Sequence, residues 1–375
     1  MKNDLTSLSQ NGAFCPLPWI HDYRSLDGQK YMCCQSHSSG KTLSEDFNGP
    51  ERHELRQRMW SGEQIPHCGP CYKMEANNLV SARQNANQEW LAKPGSREFF
   101  EDWKPGDPGQ RMYYDLRYNS KCNLSCISCG PEFSSLWKKE LNIPIVEYKL
   151  DVDPEQVLQS KRVYFAGGEP LIIDEYTDLL TYLANNHYPG HVSINTNLTS
   201  LRADVLDAIT AMPDISLVVS VDSWGRAEEY VRYPKQWRKF LDNLAILQDR
   251  NIAFNFNTVC SSISILGWKQ MADLQHYRPK NWWLTPLEMG PQLRLENLPL
   301  ELKDQAAENI MGMREVYHHD TDYKFQNSVN HLLDRLQRPG QVKDLQRFIR
   351  DLDTRRKINH ADYLGVNLFD YKDTL

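Results

Sequence analysis

Three cysteines within eight residues, Cys122, Cys126 and Cys129, constrain this chain more than any other feature. The run Lys-Cys-Asn-Leu-Ser-Cys-Ile-Ser-Cys puts three thiolates on one short loop. A four-iron, four-sulfur cluster held by three cysteine sulfurs keeps one iron open to a substrate or cofactor. Zinc is the alternative, because C-x2-C pairs such as Cys68 and Cys71 are typical zinc ligands. The cysteine spacing by itself leaves both metals open.

Further motifs follow in chain order. Arg162-Val-Tyr-Phe-Ala reads as a short buried strand that runs into Gly167-Gly168-Glu169-Pro170. Paired glycines at a strand end let backbone approach a ligand closely, and a carboxylate beside them can accept hydrogen bonds from a protonated amine. A second strand, from His191, ends in Asn195-Thr196-Asn197, and a third, from Ser216, ends in Ser220-Val221-Asp222-Ser223. Arg232 closes the run Glu229-Tyr-Val-Arg.

Taken together, the C-x3-C-x2-C spacing, the Gly-Gly-Glu-Pro element and these strand ends resemble the radical S-adenosylmethionine (SAM) superfamily. The resemblance implies a 4Fe-4S cluster on Cys122, Cys126 and Cys129 whose open iron binds SAM. It also implies that Gly167, Gly168 and Glu169 hold the SAM amino group. Asn195, Asn197, Ser220 and Asp222 would then contact ribose and methionine, and Arg232 the carboxylate. Two positions depart from the family pattern. Ser223 stands where members often have glycine, and Ser128 where many carry an aromatic residue against the adenine, leaving Trp137 or Tyr118 as candidates for that contact.

The order of elements predicts an α/β fold. Strands near Arg111–Arg117, Arg162, His191, Leu217, Ala253 and Trp282 alternate with helical stretches near Glu132–Leu141, Asp174–His187, Arg202–Ala211, Lys235–Arg250 and Leu266–Tyr277. Such alternation implies parallel strands with helical crossovers, and hence a partial (β/α)6 barrel with its active site after the strand ends. The expected domains are 1–105, rich in cysteine, 106–298 for the barrel and 299–375 for a helical C-terminal extension. Lys93-Pro-Gly-Ser and Lys104-Pro-Gly-Asp-Pro-Gly mark the linker before the barrel.

Within the first domain, Cys15, Gly28 and Cys33 give C-x12-G-x4-C, which resembles the opening half of the SPASM and twitch modules that bind auxiliary clusters. Cys68 and Cys71 would complete one four-cysteine 4Fe-4S cluster. The resemblance favours Cys33 over its neighbour Cys34 through the glycine spacing. A module placed before the barrel departs from the usual order, and the later cysteines of a full SPASM module are absent. Cys260, at a strand end, reads as a small buried side chain.

Composition narrows the remaining choices. The chain has 375 residues, 40% hydrophobic and 25% charged, enough for a barrel and smaller domains. It has no apolar run of about eighteen residues for a membrane span, and its first residues do not read as a secretory leader. Nine cysteines without an export signal point to a reducing cytoplasm and metal ligation. A net charge of −6 argues against nucleic acid as a broad partner, since phosphate binding needs clustered lysine and arginine. The resemblance implies an enzyme that cleaves SAM to a 5′-deoxyadenosyl radical, fed by an external donor such as flavodoxin or ferredoxin. Its expected substrate is a peptide or protein, or else a carbohydrate-like or nucleotide small molecule. Tyr230 and Glu288 are further candidate pocket residues. A zinc-binding module and an iron–sulfur electron carrier are the rival classes.

Overall fold

The structure, a computed structural model, describes residues 2–371 apart from 27, 45, 77–79, 147, 150, 288–289 and 317–322. Glu288 therefore lies outside the described residues. Two compact units result, the first from 1–119, 147–167 and 185–192, the second from 120–146, 168–184 and 193–375.

In the first unit, strands β1 (His21–Arg24), β2 (Lys30–Tyr31), β3 (Tyr113–Leu116) and β4 (Arg162–Phe165) lie in the order β2-β1-β3-β4, followed by the first residues of β5 (His191–Thr196). Strand β1 runs parallel to β3 and antiparallel to β2, and β3 runs parallel to β4. Tyr23, Asp115 and Tyr164 stand side by side in this register and share one face of the sheet. Helices Pro50–Trp60, Ala82–Trp90 and Ser96–Asp102 accompany the strands. The core is aromatic: Trp19 packs against Phe14 at 5.2 Å and edge-on against Trp103 at 5.4 Å. Helix Ala82–Trp90 starts at a reciprocal cap, Ser81 accepting from the Gln84 amide while Gln84 accepts from that of Ser81.

The sequence reading did not anticipate β1. Its residues, His-Asp-Tyr-Arg, alternate in burial but not in polarity, since His21 and Tyr23 are the buried pair. A period-two hydrophobic signal cannot mark a strand whose inner face is polar.

The second unit holds the rest of β5, then β6 (Ile215–Ser220), β7 (Phe254–Cys260) and β8 (Trp282–Pro286) in that order. Strands β6, β7 and β8 are parallel neighbours. The connecting helices Ala203–Ala211 and Trp237–Asp249 are amphipathic, the latter burying Phe240, Asn243, Leu244 and Leu247 at helical spacing. This α/β alternation with parallel strands is consistent with the expected partial barrel. Ser264–Tyr277, expected as an ordinary helix, is wound as a tighter 3₁₀ helix. Gly267 there backs directly onto Ser223, where any side chain would overlap the Ser223 hydroxyl.

Three helices follow, Leu300–Val316, Tyr323–Leu336 and Val342–Arg356. The last buries Val342, Leu345, Ile349 and Leu352 on one stripe, about 1.5–3 kcal/mol apiece. The same stripe ends in a buried arginine, Arg356. Among the described residues no helix is long and apolar enough to cross a membrane.

Candidate active site

The cysteine loop follows β3 and is held at nearly every residue. Ser134 caps helix Ser135–Glu140 and gives its hydroxyl to the Leu124 carbonyl at 2.6 Å. The Cys122 amide donates to Ser135 Oγ at 3.1 Å, and the Trp137 indole donates to the Cys126 carbonyl at 2.8 Å. Amides of Ser125 and Ile127 donate to the carbonyls of Tyr233 and Val231 at 2.7 and 2.8 Å. A loop fixed in this way presents its three thiols without freedom to disperse. Burial pushes all three pKa values up, that of Cys129 to about 12. At Cys126 the Arg232 guanidinium opposes that rise, with Nη1 3.7 Å from the sulfur. Free thiols here are protonated, so metal ligation must release their protons.

Gly168 and Glu169 clamp this loop from beside it. The Glu169 amide donates to the Lys121 carbonyl at 2.8 Å, so close that a methyl group on Gly168 would overlap the Lys121 backbone. The Glu169 carboxylate is fully buried and accepts three hydrogen bonds, from Thr196 Oγ1 at 2.6 Å and the amides of Leu171 at 3.1 Å and Asn197 at 2.6 Å. Burial raises its pKa and those bonds pull it back. Its side chain thus ties the end of β5 to its own loop. Asn197 completes the brace: its amide donates to Asn123 Oδ1 at 3.0 Å, and Asn123 in turn donates to Thr199 at 2.8 Å. Asn195 differs, because its Oδ1 is buried and has no hydrogen-bond partner among the described residues. Gly167 belongs to the first unit, where its positive φ of 113° brings it against the Asn119 carbonyl.

A buried charge network lies at the end of β6. Arg232 Nε donates to Asp222 Oδ2 at 3.1 Å, and the other Asp222 oxygen accepts from the Val259 amide at 2.9 Å. Glu228 accepts from the amides of Asp222 and Ser223 at 2.9 and 2.7 Å, and from Lys235 at 2.6 Å. Two acids and two bases balance there, with Arg232 reaching onward to Cys126. Ser220 contributes its carbonyl to Lys235 at 3.3 Å. The sequence reading passed over Glu228 and Lys235. It quoted Glu229, whose carboxylate accepts from the Trp237 amide, whereas Glu228, one turn before Arg232, faces the network. Ser223, in the place of a glycine, donates to the Ser264 carbonyl at 2.7 Å.

Arg356 is the other residue the sequence did not reveal. Its Nη2 donates to the Ser125 carbonyl at 2.6 Å, its Nε to Glu140 at 3.2 Å, and its guanidinium covers the rings of Trp137 and Tyr233. Trp137 therefore has its indole N–H and one face committed to bracing the loop. Its surroundings include a cleft of about 190 Å³ lined by Ser128, Cys129, Phe133 and Phe348. Tyr118, in the first unit, lies under Arg24 at 5.5 Å, and Tyr230 donates to Asp353 at 2.8 Å. We expect Arg356→Ala to cost about 3 kcal/mol, because Glu140 and the Ser125 carbonyl lose a buried cation. Urea unfolding of the metal-free protein measures it, and Arg356→Lys should recover only part, lacking the planar fork.

In the first unit, Cys15, Cys33, Cys68 and Cys71 are all free and buried, and burial, followed by the charges of Cys68, Cys33 and Cys71, pushes the Cys15 thiol well up. Burial drives all four thiols up. Arg52 is fully buried over the Phe47 ring, its Nε and Nη1 without a hydrogen-bond partner among the described residues. Cys34 instead feels Asp115 and Arg117. Among the described residues no three His, Cys, Asp or Glu side chains are gathered tightly enough for a single metal ion. A four-iron cube puts each thiolate on a different iron and asks for wider spacing.

Residues 117–267 match the domain described as the Radical SAM superfamily. Such a domain implies SAM and one 4Fe-4S cluster. Among solved structures the chain is similar to Streptococcus suis SuiB bound to S-adenosylmethionine, with 12% identity and a TM-score of 0.39 over 73% of this chain and 64% of SuiB. SuiB bound to the precursor peptide SuiA gives 13% identity and a TM-score of 0.41 over 76% of this chain and 65% of that one. Native anSMEcpe with bound AdoMet and the Kp18Cys peptide gives 15% and 0.42 over 58% and 61%. The chain thus spans less than two thirds of the length of these proteins, and the likeness is too distant to bear on function. No curated protein matches it.

Proposed function

We propose that this chain is a radical SAM enzyme that oxidises or cross-links a peptide or protein, with one auxiliary 4Fe-4S cluster assisting. The observation that carries the reading is a rigid loop bearing three thiols, Cys126 buried and Cys122 and Cys129 half-buried, clamped by Gly168 and Glu169 and facing a cation at Cys126. When bound, SAM and the loop cluster supply a 5′-deoxyadenosyl radical by one-electron cleavage, the electron coming from a donor such as flavodoxin or ferredoxin. Cys122, Cys126 and Cys129 would hold that cluster. Asn195, with its unpartnered amide oxygen, is the side chain best disposed to accept a hydrogen bond from a ligand. Glu169, Asn197 and Asp222 hold the surrounding strand ends in register, and Arg232 balances charge at Cys126. The chain's task is to orient the reacting carbon and exclude water.

Cys15, Cys33, Cys68 and Cys71 would bind the auxiliary cluster. Hydrogen-atom abstraction leaves an unpaired electron on the substrate, and loss of that electron with a proton gives a net two-electron oxidation. Four protein ligands suit such a group to accepting the electron. Anaerobic reconstitution tests the reading: about eight irons per chain and dithionite-dependent 5′-deoxyadenosine are expected. Cys33→Ala should lower the iron to about four, whereas Cys34→Ala should leave it near eight. Colourless zinc protein, or brown protein that never cleaves SAM, would overturn the assignment.

A further inference from the structure

A second polar site lies on the sheet face of the first unit, built on β1, β3 and β4. Asp115, 1% exposed, holds Arg117 side-on, accepting from Nε at 2.7 Å and from Nη2 at 3.1 Å. The rings of Tyr23 and Tyr164 lie 5.4 and 5.3 Å from the guanidinium. One edge and the flanks of Arg117 are therefore fixed. Its Nη1 makes no hydrogen bond among the described residues, and a quarter of the side chain remains exposed.

An arginine needed only to neutralise Asp115 would gain from complete burial. One locked on three sides with an open end is a preorganised fork, and the planar group that matches such a fork in two parallel hydrogen bonds is a carboxylate. A second observation points the same way. His21 is 1% exposed with neither ring nitrogen hydrogen-bonded among the described residues, and its Nε2 lies 3.7 Å from Asp115 Oδ2, too far for a hydrogen bond. The imidazole stands as a reserve partner for Asp115 when a ligand draws on the charge of Arg117. We infer that Arg117, locked by Asp115 between Tyr23 and Tyr164, anchors a carboxylate of a peptide ligand, either its C-terminus or an acidic side chain. This inference requires neither SAM cleavage nor either cluster.

The test is arginine modification of the full-length reconstituted protein by butanedione in borate, with mass spectrometry locating the modified residues. N-acetylglycine stands for a chain terminus, N-acetylaspartate α-amide for an acidic side chain, and N-acetylglycinamide for a neutral control. Arg117 is expected to react, and at saturation one of the two acids should slow it about tenfold while the amide leaves it unchanged. The acid that protects identifies the source of the carboxylate. In calorimetry, Arg117→Lys, which keeps the charge but not the fork, should bind that acid about tenfold more weakly. An unreactive Arg117, equal rates with acids and amide, or undiminished binding by the lysine variant would each overturn the site.

Discussion

Replacing Cys126 with alanine is expected to abolish 5′-deoxyadenosine release and to lower the iron of the reconstituted protein from about eight to about four per chain. Cys126 is the most buried thiol of its loop, and its sulfur lies 3.7 Å from the Arg232 guanidinium. Its removal takes away one of three sulfurs and leaves a buried cation without its nearest soft partner. Arg232 still has Asp222 at 3.1 Å, so the variant should fold. The remaining iron would belong to Cys15, Cys33, Cys68 and Cys71, which makes iron content a control on activity. Nucleoside release equal to that of the parent would show that the three thiols do not act as one ligand set.

The second large effect is expected at Gly168. An alanine there would overlap the Lys121 carbonyl, backbone against backbone, where no side chain can rotate aside. The hydrogen bond from the Glu169 N–H to the Lys121 carbonyl would have to lengthen, moving the loop that begins at Cys122. A displacement of about 1 Å is enough to cost roughly a hundredfold in turnover. Gly168→Ala should therefore retain thermal stability within several degrees yet lose about two orders of magnitude in 5′-deoxyadenosine formation. Anaerobic single-turnover assays measure this, and a variant turning over at the parent rate would remove the clamp from the account.

Much of the fold was legible because it is periodic. Arg162, His191, Leu217 and Trp282 each fall inside a strand of the structure, and β7 starts one residue after Ala253. The cysteine triad and the Gly-Gly-Glu-Pro element could be read because both are short and local. What the sequence concealed is what long-range contact decides. Glu228 lies beside Glu229, and only the helix Gly225–Val231 determines which of them turns inward. Likewise Arg356 sits in a run of basic residues that reads as solvated surface, although it is buried against Ser125. Glu169 also makes contacts that its motif does not announce. Its carboxylate is occupied by Thr196, Leu171 and Asn197, a use that no local pattern specifies.

The link from Arg356 to Ser125 spans 231 positions of chain. Ribosomes add about 5–20 residues per second, so roughly 10–50 seconds separate the synthesis of the two partners. Throughout that interval the nascent cysteine loop lacks the guanidinium that later covers Trp137 and holds the Ser125 carbonyl. On the proposed function, ribosome-stalled chains ending before residue 342 should therefore take up iron at this loop poorly.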